Sequence, residues 1–270
     1  MPATEHVIPD EARREIARRL DRIEAEHPVR ILYACESGSR AWGFASADSD
    51  FDVRFIYLSP RDWYLAVDLE ERRDVIETPI EGVWDVNGWD LRKALRLYRK
   101  SNPPLLEWLQ SPIVYREVSR AAPRMRELLA RFYSPVACMY HYLHMAQGNY
   151  RGYLQSERVR TKKYFYVLRP LLGCRWIEQG QGAVPMEFER LVEGTTIPDV
   201  VQREITRLLE QKRTDGEIGE GSRNAVLSEF IEAEFKRHEA AGLIRQKPYT
   251  AVQPLNAIFR ETLQEVWGDA

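Results

Sequence analysis

The sequence predicts an α+β protein, with a small α/β domain over residues 1–112 and an all-helical domain over residues 113–270. Three observations predict it. A helical apolar period runs from Asp10 to Glu26, two apolar strand-like runs flank a Gly-Ser turn, and strand signals largely end at Ser111-Pro112 while helical periods continue to the last third of the chain.

Each element has its own reason. In the first helix Ile16, Leu20 and Ile23 recur at helical spacing behind the start signal Pro9-Asp10, and Pro28 ends it. Val29 to Cys35 is a short apolar run bounded by Pro28 and Gly38, which reads as a buried strand. Phe51 to Leu58 reads as a second, with Phe51, Val53 and Phe55 on one face and Asp50, Asp52 and Arg54 on the other. A short helix over Arg61 to Val67 follows Pro60, and Asp74–Glu77 with Val83–Val86 reads as a hairpin around Pro79 and Gly82. Asp90 caps a helix from Leu91 to Lys100, and Asn102-Pro103-Pro104 ends that helix and seeds the next. Further helices are expected near 119–132, 135–155, 160–178, 185–193, 198–212 and 222–241.

Composition narrows the function classes. Hydrophobic residues at 44% and charged residues at 30% describe a soluble globular chain of 270 residues, and no apolar run reaches the roughly 20 residues that span a bilayer. The N-terminus, charged from Glu5 onward, lacks the apolar core of a signal peptide, so a cytoplasmic location without a membrane partner is expected. Cys35, Cys138 and Cys174 have no paired spacing that suggests a zinc site or a disulfide framework and are expected to be reduced and buried. The net charge of −2 makes the whole chain no polycation, so affinity for a polyanion requires a local patch.

The stretch "ACESGSRAWGFASADSDFDVRF", residues 34–55, carries the chemistry. Gly38-Ser39 at a strand end lets backbone N–H groups approach a phosphate. Asp50 and Asp52 project from one strand face, where aspartate is disfavoured and two carboxylates repel unless a cation lies between them. Hard oxygen ligands beside a phosphate-holding turn suit Mg²⁺ or Mn²⁺ with a nucleotide.

This order of strand, Gly38-Ser39, short helix and Asp50-x-Asp52 resembles the signature of the DNA polymerase β-like nucleotidyltransferase superfamily. More closely, "GSRAWGFASADSDFDVRFIY", "DVNGWDLRKAL", "SNPPLLEWLQSPIVY" and "KKYFYVLRPLLGCRWI" resemble its RNA-repair-pathway polymerase β branch. The resemblance implies a mixed sheet with flanking helices, a helical C-terminal part that binds nucleotide and acceptor, an NTP substrate, and two divalent ions. Asp50 and Asp52 match the metal-binding carboxylates, and Gly38 and Ser39 match the loop that touches the terminal phosphates. The superfamily usually adds a third carboxylate on a neighbouring strand. Asp85 in "VWDVNGW" fits that place, as metal ligand and catalytic base, because Asp90 is explained by capping.

Other charged residues are read from their surroundings. Arg40, after Ser39, is placed either as an ion-pair partner of the carboxylates or as a phosphate ligand, and Arg54 as an ion-pair partner. The run from Arg151 to Arg175 holds seven basic residues against one acid, Glu157, with tyrosines interleaved. On a continuous helix, Arg158, Lys162, Tyr166 and Arg169 share one face. Lys162, Tyr166 and Arg169 are therefore expected at the nucleotide, and Arg158 at the acceptor. His141 and His144 read as a packed pair rather than metal ligands. The resulting expectation is transfer of an NMP to an acceptor hydroxyl, with an RNA end as the leading acceptor. A small molecule, a protein side chain, or a non-catalytic nucleotide- or RNA-binding module are the alternatives.

Overall fold

The computed structural model describes residues 8–215, 219–241 and 251–268. The first seven residues, on which the expectation for the N-terminus falls, lie outside the described residues. In chain order the elements are α1 (Asp10–Glu26), β1 (Arg30–Glu36), α2 (Gly38–Ala41), β2 (Phe51–Leu58), α3 (Arg61–Tyr64), β3 (Val75–Glu77), β4 (Trp84–Asp90), α4 (Leu91–Arg99), α5 (Pro103–Leu109) and β5 (Val114–Glu117). There follow α6 (Ala121–Glu127), α7 (Leu129–Phe132), α8 (Pro135–Tyr153), β6 (Arg158–Arg160), α9 (Lys163–Glu178), α10 (Phe188–Gly194), α11 (Asp199–Asp215), β7 (Glu220–Ser222), α12 (Ala225–Ala241) and α13 (Gln253–Trp267).

Five strands form a mixed sheet in the order β3-β4-β2-β1-β5. β2 runs antiparallel to β1 and parallel to β4, and this second pairing sets Asp52 directly opposite Asp85. Strand alternation decides the core. Val53 and Phe55 turn inward with Ile31 and Val86 against Ile16, Leu20 and Ile23 of α1, while Leu32, Ile56 and Leu58 face a second core. That second core continues without a break from the sheet into α8, α9 and α11 through Tyr142, Leu168 and Ile205.

Several sequence expectations need correction. β5 lies past residue 112 yet pairs with β1, so the sheet draws on the stretch expected to be wholly helical. Its four residues at the sheet edge, one of them an exposed valine, carry too little alternation to announce a strand. β6 and β7 form a separate two-stranded ribbon within the helical part. Only Val159 of Arg158–Arg160 is buried, so the ribbon has no apolar signature to read. The helix expected from residue 160 starts at Lys163, which takes Arg158 off any shared helical face with Lys162, Tyr166 and Arg169. Helix α13, absent from the sequence reading, packs on α4 and α6. Among the described residues no helix is long and apolar enough to cross a membrane, and the three cysteines are buried and not disulfide-bonded.

Candidate active site

The site begins where β1 ends. Glu36 is fully buried, with one carboxylate oxygen accepting the Asp52 backbone N–H at 2.8 Å and the other accepting the Tyr115 hydroxyl. The next residue, Ser37, donates its N–H to the Asp52 carbonyl at 2.8 Å. Asp52 is therefore fixed through both sides of its own backbone. Gly38 completes the cradle: it adopts φ +58°, and a Cβ there would lie 2.0 Å from Asp52 Oδ2. No side chain larger than hydrogen fits. Gly38→Ala is expected to cost about 1 kcal/mol or more through the left-handed backbone alone. It should also slow catalysis by about a hundredfold, the scale of a displacement near 1 Å at a reacting group. Thermal melts and transfer rates measured on the same preparation separate the two effects.

The carboxylates of this cleft are not electrostatically balanced. Burial pushes the Asp52 carboxyl up, and the neighbouring charges of Asp85 and Asp50 push it the same way while Arg54 opposes them. Arg54 stands between the two strands, 2.7 Å from Asp85 Oδ2 and 3.3 Å from Asp52 Oδ1. Asn87 donates to the other Asp85 oxygen. Asp50 and Asp52 fit a divalent cation, because both offer hard oxygens and their repulsion is relieved by positive charge. Asp85 is held by Arg54 and Asn87, and among the described residues no three acidic, His or Cys side chains already form a metal cage. Asp90 has a separate purpose: buried, it caps α4 by accepting from Arg92 N and receives the Tyr64 hydroxyl, and burial pushes its carboxyl up to about 6.

Facing the carboxylates is a pocket shared by the sheet and the helices. Ser39, Ser49, Asp50 and Asp52 line it together with Lys162 and Lys212, and Trp42, Phe44, Phe165 and Tyr166 add an aromatic lining. Lys212, near the C-terminal end of α11, is 5% exposed and its ammonium lies 5.7 Å from the Phe44 ring centroid. Burying an ammonium costs free energy unless negative charge is close by. Two lysines and two aspartates thus line one small pocket.

Over residues 12–261 the chain matches the RNA repair pathway DNA polymerase beta family. It belongs to that family. This polymerase β family member is a nucleotidyltransferase. It is 46% identical over 258 residues to the uncharacterized protein YcgL of Bacillus subtilis strain 168, a match covering 95% of this chain and 98% of the relative. A nucleotidyltransferase-like protein from Exiguobacterium sibiricum 255-15, known from a crystal structure, aligns at 11% identity with a TM-score of 0.31, covering 95% of this chain and 76% of that one.

In this polymerase β family member the sequence-derived site residues divide into two groups. Gly38, Ser39, Asp50, Asp52 and Asp85 gather where β2 and β4 begin, and Lys162 and Tyr166 line the same pocket as Ser39, Asp50 and Asp52. Arg40 braces the loop that carries Asp50, donating to the Ser49 and Asp50 carbonyls at 2.5 and 3.1 Å, with its guanidinium 3.9 Å from the Phe51 ring centroid. Arg169 is a core residue and not a surface ligand. It is 2% exposed, donates to Glu107 at 2.5 Å and to the Pro185 and Met186 carbonyls, and stacks on Trp42. Arg158 lies on β6, away from the pocket lining, and donates to the Glu220 carbonyl. Sequence reasoning missed Glu36 and Lys212. A charge closing the apolar run "ILYACE" was a usable signal for Glu36, whereas Lys212 looks like any basic residue on an amphipathic helix.

Glu36 also gives a pH signature. Burial pushes its carboxyl up to about 7, against the stabilising bonds from Tyr115 and Asp52. The folded state thus keeps a proton that the unfolded chain releases near pH 4.3. Stability from this group is complete below that pH, declines as pH rises, and levels off above about 7. Glu36→Gln should flatten the fall in melting temperature between pH 4.5 and 7; an unchanged slope assigns the fall to other groups, Asp90 first.

Proposed function

We propose that the enzyme transfers an NMP from an NTP, bound with Mg²⁺ or Mn²⁺, to the hydroxyl of an RNA end with release of pyrophosphate. The observation that supports this reading best is the Asp52–Asp85 register on parallel strands, with Asp50, Lys162 and Lys212 lining the same pocket as Asp52. Asp50 and Asp52 would hold the metal, with Asp85 as a third carboxylate once Arg54 yields it. A divalent ion there supplies charge neutralisation for the triphosphate. Ser39 and the backbone at Gly38 meet the terminal phosphates, and the two lysines pair with the oxygens that become pyrophosphate. Asp85 accepts the proton of the attacking hydroxyl as oxygen bonds to the α-phosphorus and the bridge to the β-phosphate breaks. Trp42 offers a face for the base.

The test is incubation of purified protein with each α-labelled NTP, Mg²⁺ or Mn²⁺, and RNA. Label on RNA with release of pyrophosphate is the expected result. Asp85→Asn should lower the rate by several orders of magnitude with NTP affinity little changed, while Asp90→Asn stays mild, since asparagine caps a helix about as well as aspartate. The opposite ranking moves the third carboxylate to Asp90. Label appearing on a small molecule or a protein, and never on RNA, overturns the acceptor.

A further inference from the structure

Among the described residues only two aromatic side chains are exposed, Tyr153 at 45% and Tyr166 at 40%. They belong to different helices and share one cation. The Lys163 ammonium lies 4.1 Å from the Tyr153 ring centroid and 4.7 Å from that of Tyr166. The pairing is braced from below, because Asn149 of α8 donates to the Tyr166 carbonyl of α9 at 3.0 Å. Its two ends differ in position. Tyr166 meets Trp42 edge-on at 5.6 Å inside the pocket that Asp50 and Asp52 line, whereas Tyr153 ends α8 and is not among the residues lining it; Arg151 and Arg158, close to Tyr153 in the chain, are exposed.

Solvent-exposed tyrosines lose favourable burial unless a ligand covers them. A line of aromatic faces with an interleaved cation, bordered by basic side chains, has the chemistry of unpaired nucleotides: rings take bases, cations take phosphates. A base-paired end presents few open base faces and has no comparable use for the rings. We infer that Tyr153, Lys163 and Tyr166 form the platform on which the unpaired terminal nucleotides of the RNA acceptor stack, leading its end from Tyr153 inward to Asp50 and Asp52. This rests on the RNA reading above. Tyr166 then serves the nucleotide nearest the reaction, Tyr153 the next one out, and Lys163 the phosphate between them.

The deciding experiment uses the full chain, a fluorescent single-stranded RNA and a blunt RNA hairpin, with anisotropy for binding and labelled NTP for transfer. Tyr153→Ala should weaken single-strand binding by about tenfold, within the range of one stacked base. Tyr153→Phe should restore it to within about twofold, and Lys163→Gln should lower affinity and flatten its salt dependence by the share of about one phosphate. Binding of NTP alone should stay within about twofold in the Tyr153 variants, and melting temperature reports any loss of fold. If the parent binds and labels RNA while Tyr153→Ala and Lys163→Gln both match it, the platform is wrong and the RNA reading stands. Equal parent affinity for the blunt hairpin also overturns the platform. If the parent neither binds nor labels RNA, the acceptor reading falls and the platform with it.

Discussion

Asp52→Asn and Asp50→Asn should each reduce nucleotidyl transfer to background while leaving the protein folded. Both side chains lie at a cleft where negative charge accumulates, and Asp52 has its backbone, not its carboxylate, fastened to Glu36 and Ser37. An amide keeps shape and packing but cannot neutralise a divalent ion, so the loss falls on catalysis. The stability effect has a definite sign. Because burial, Asp85 and Asp50 raise the folded-state carboxyl of Asp52, its ionised form weighs against folding once pH exceeds the unfolded value of about 4. Asn removes that opposition. Asp52→Asn should therefore melt at the same or a higher temperature than the parent at neutral pH, and the advantage should vanish in acid where both are uncharged. Transfer within about tenfold of the parent in either variant would falsify the assignment of the carboxylates.

Arg169→Met should be among the most destabilising single changes in the chain, costing about 3–5 kcal/mol, because it strands the Glu107 carboxylate in the core. Glu107 also accepts the Tyr142 hydroxyl at 2.6 Å, so the three side chains tie α5, α8 and α9 together. Adding Glu107→Gln removes the uncompensated charge and keeps an acceptor for Tyr142. The double variant should recover much of the loss in urea denaturation. Under conditions where Arg169→Met remains folded, NTP affinity should be near that of the parent. A variant of parental stability that no longer binds NTP would return Arg169 to the nucleotide site.

The placement of the sheet's carboxylates was legible in the sequence because its signal is local. Gly38-Ser39, Asp50, Asp52 and Asp85 sit within strands and turns whose period and breaks are visible over a few residues, and so does the cap at Asp90. Contacts made over long separations were not legible. Arg169 and Arg158 looked alike in a basic run, yet one meets Glu107 in the core and the other borders a ribbon closed by residues some sixty positions later. Lys212 enters the pocket only because α11 crosses back towards Phe44, and nothing within its own helix records that. The edge strand β5 and the ribbon strand β6 are too short and too polar for period-two patterning to reveal.

The turn that follows β1 is anchored at both ends. Ser37 and Gly38 grip Asp52, while the Trp42 carbonyl accepts the Phe188 N–H at 2.9 Å and the Gly43 carbonyl accepts Arg213 at 3.2 Å. Mechanically the turn is a lever with the carboxylates on one arm and α10 and α11 on the other. Widening the cleft by swinging those two helices would pull the Gly-Ser turn off Asp52, so any such motion disarms the site at the moment it opens.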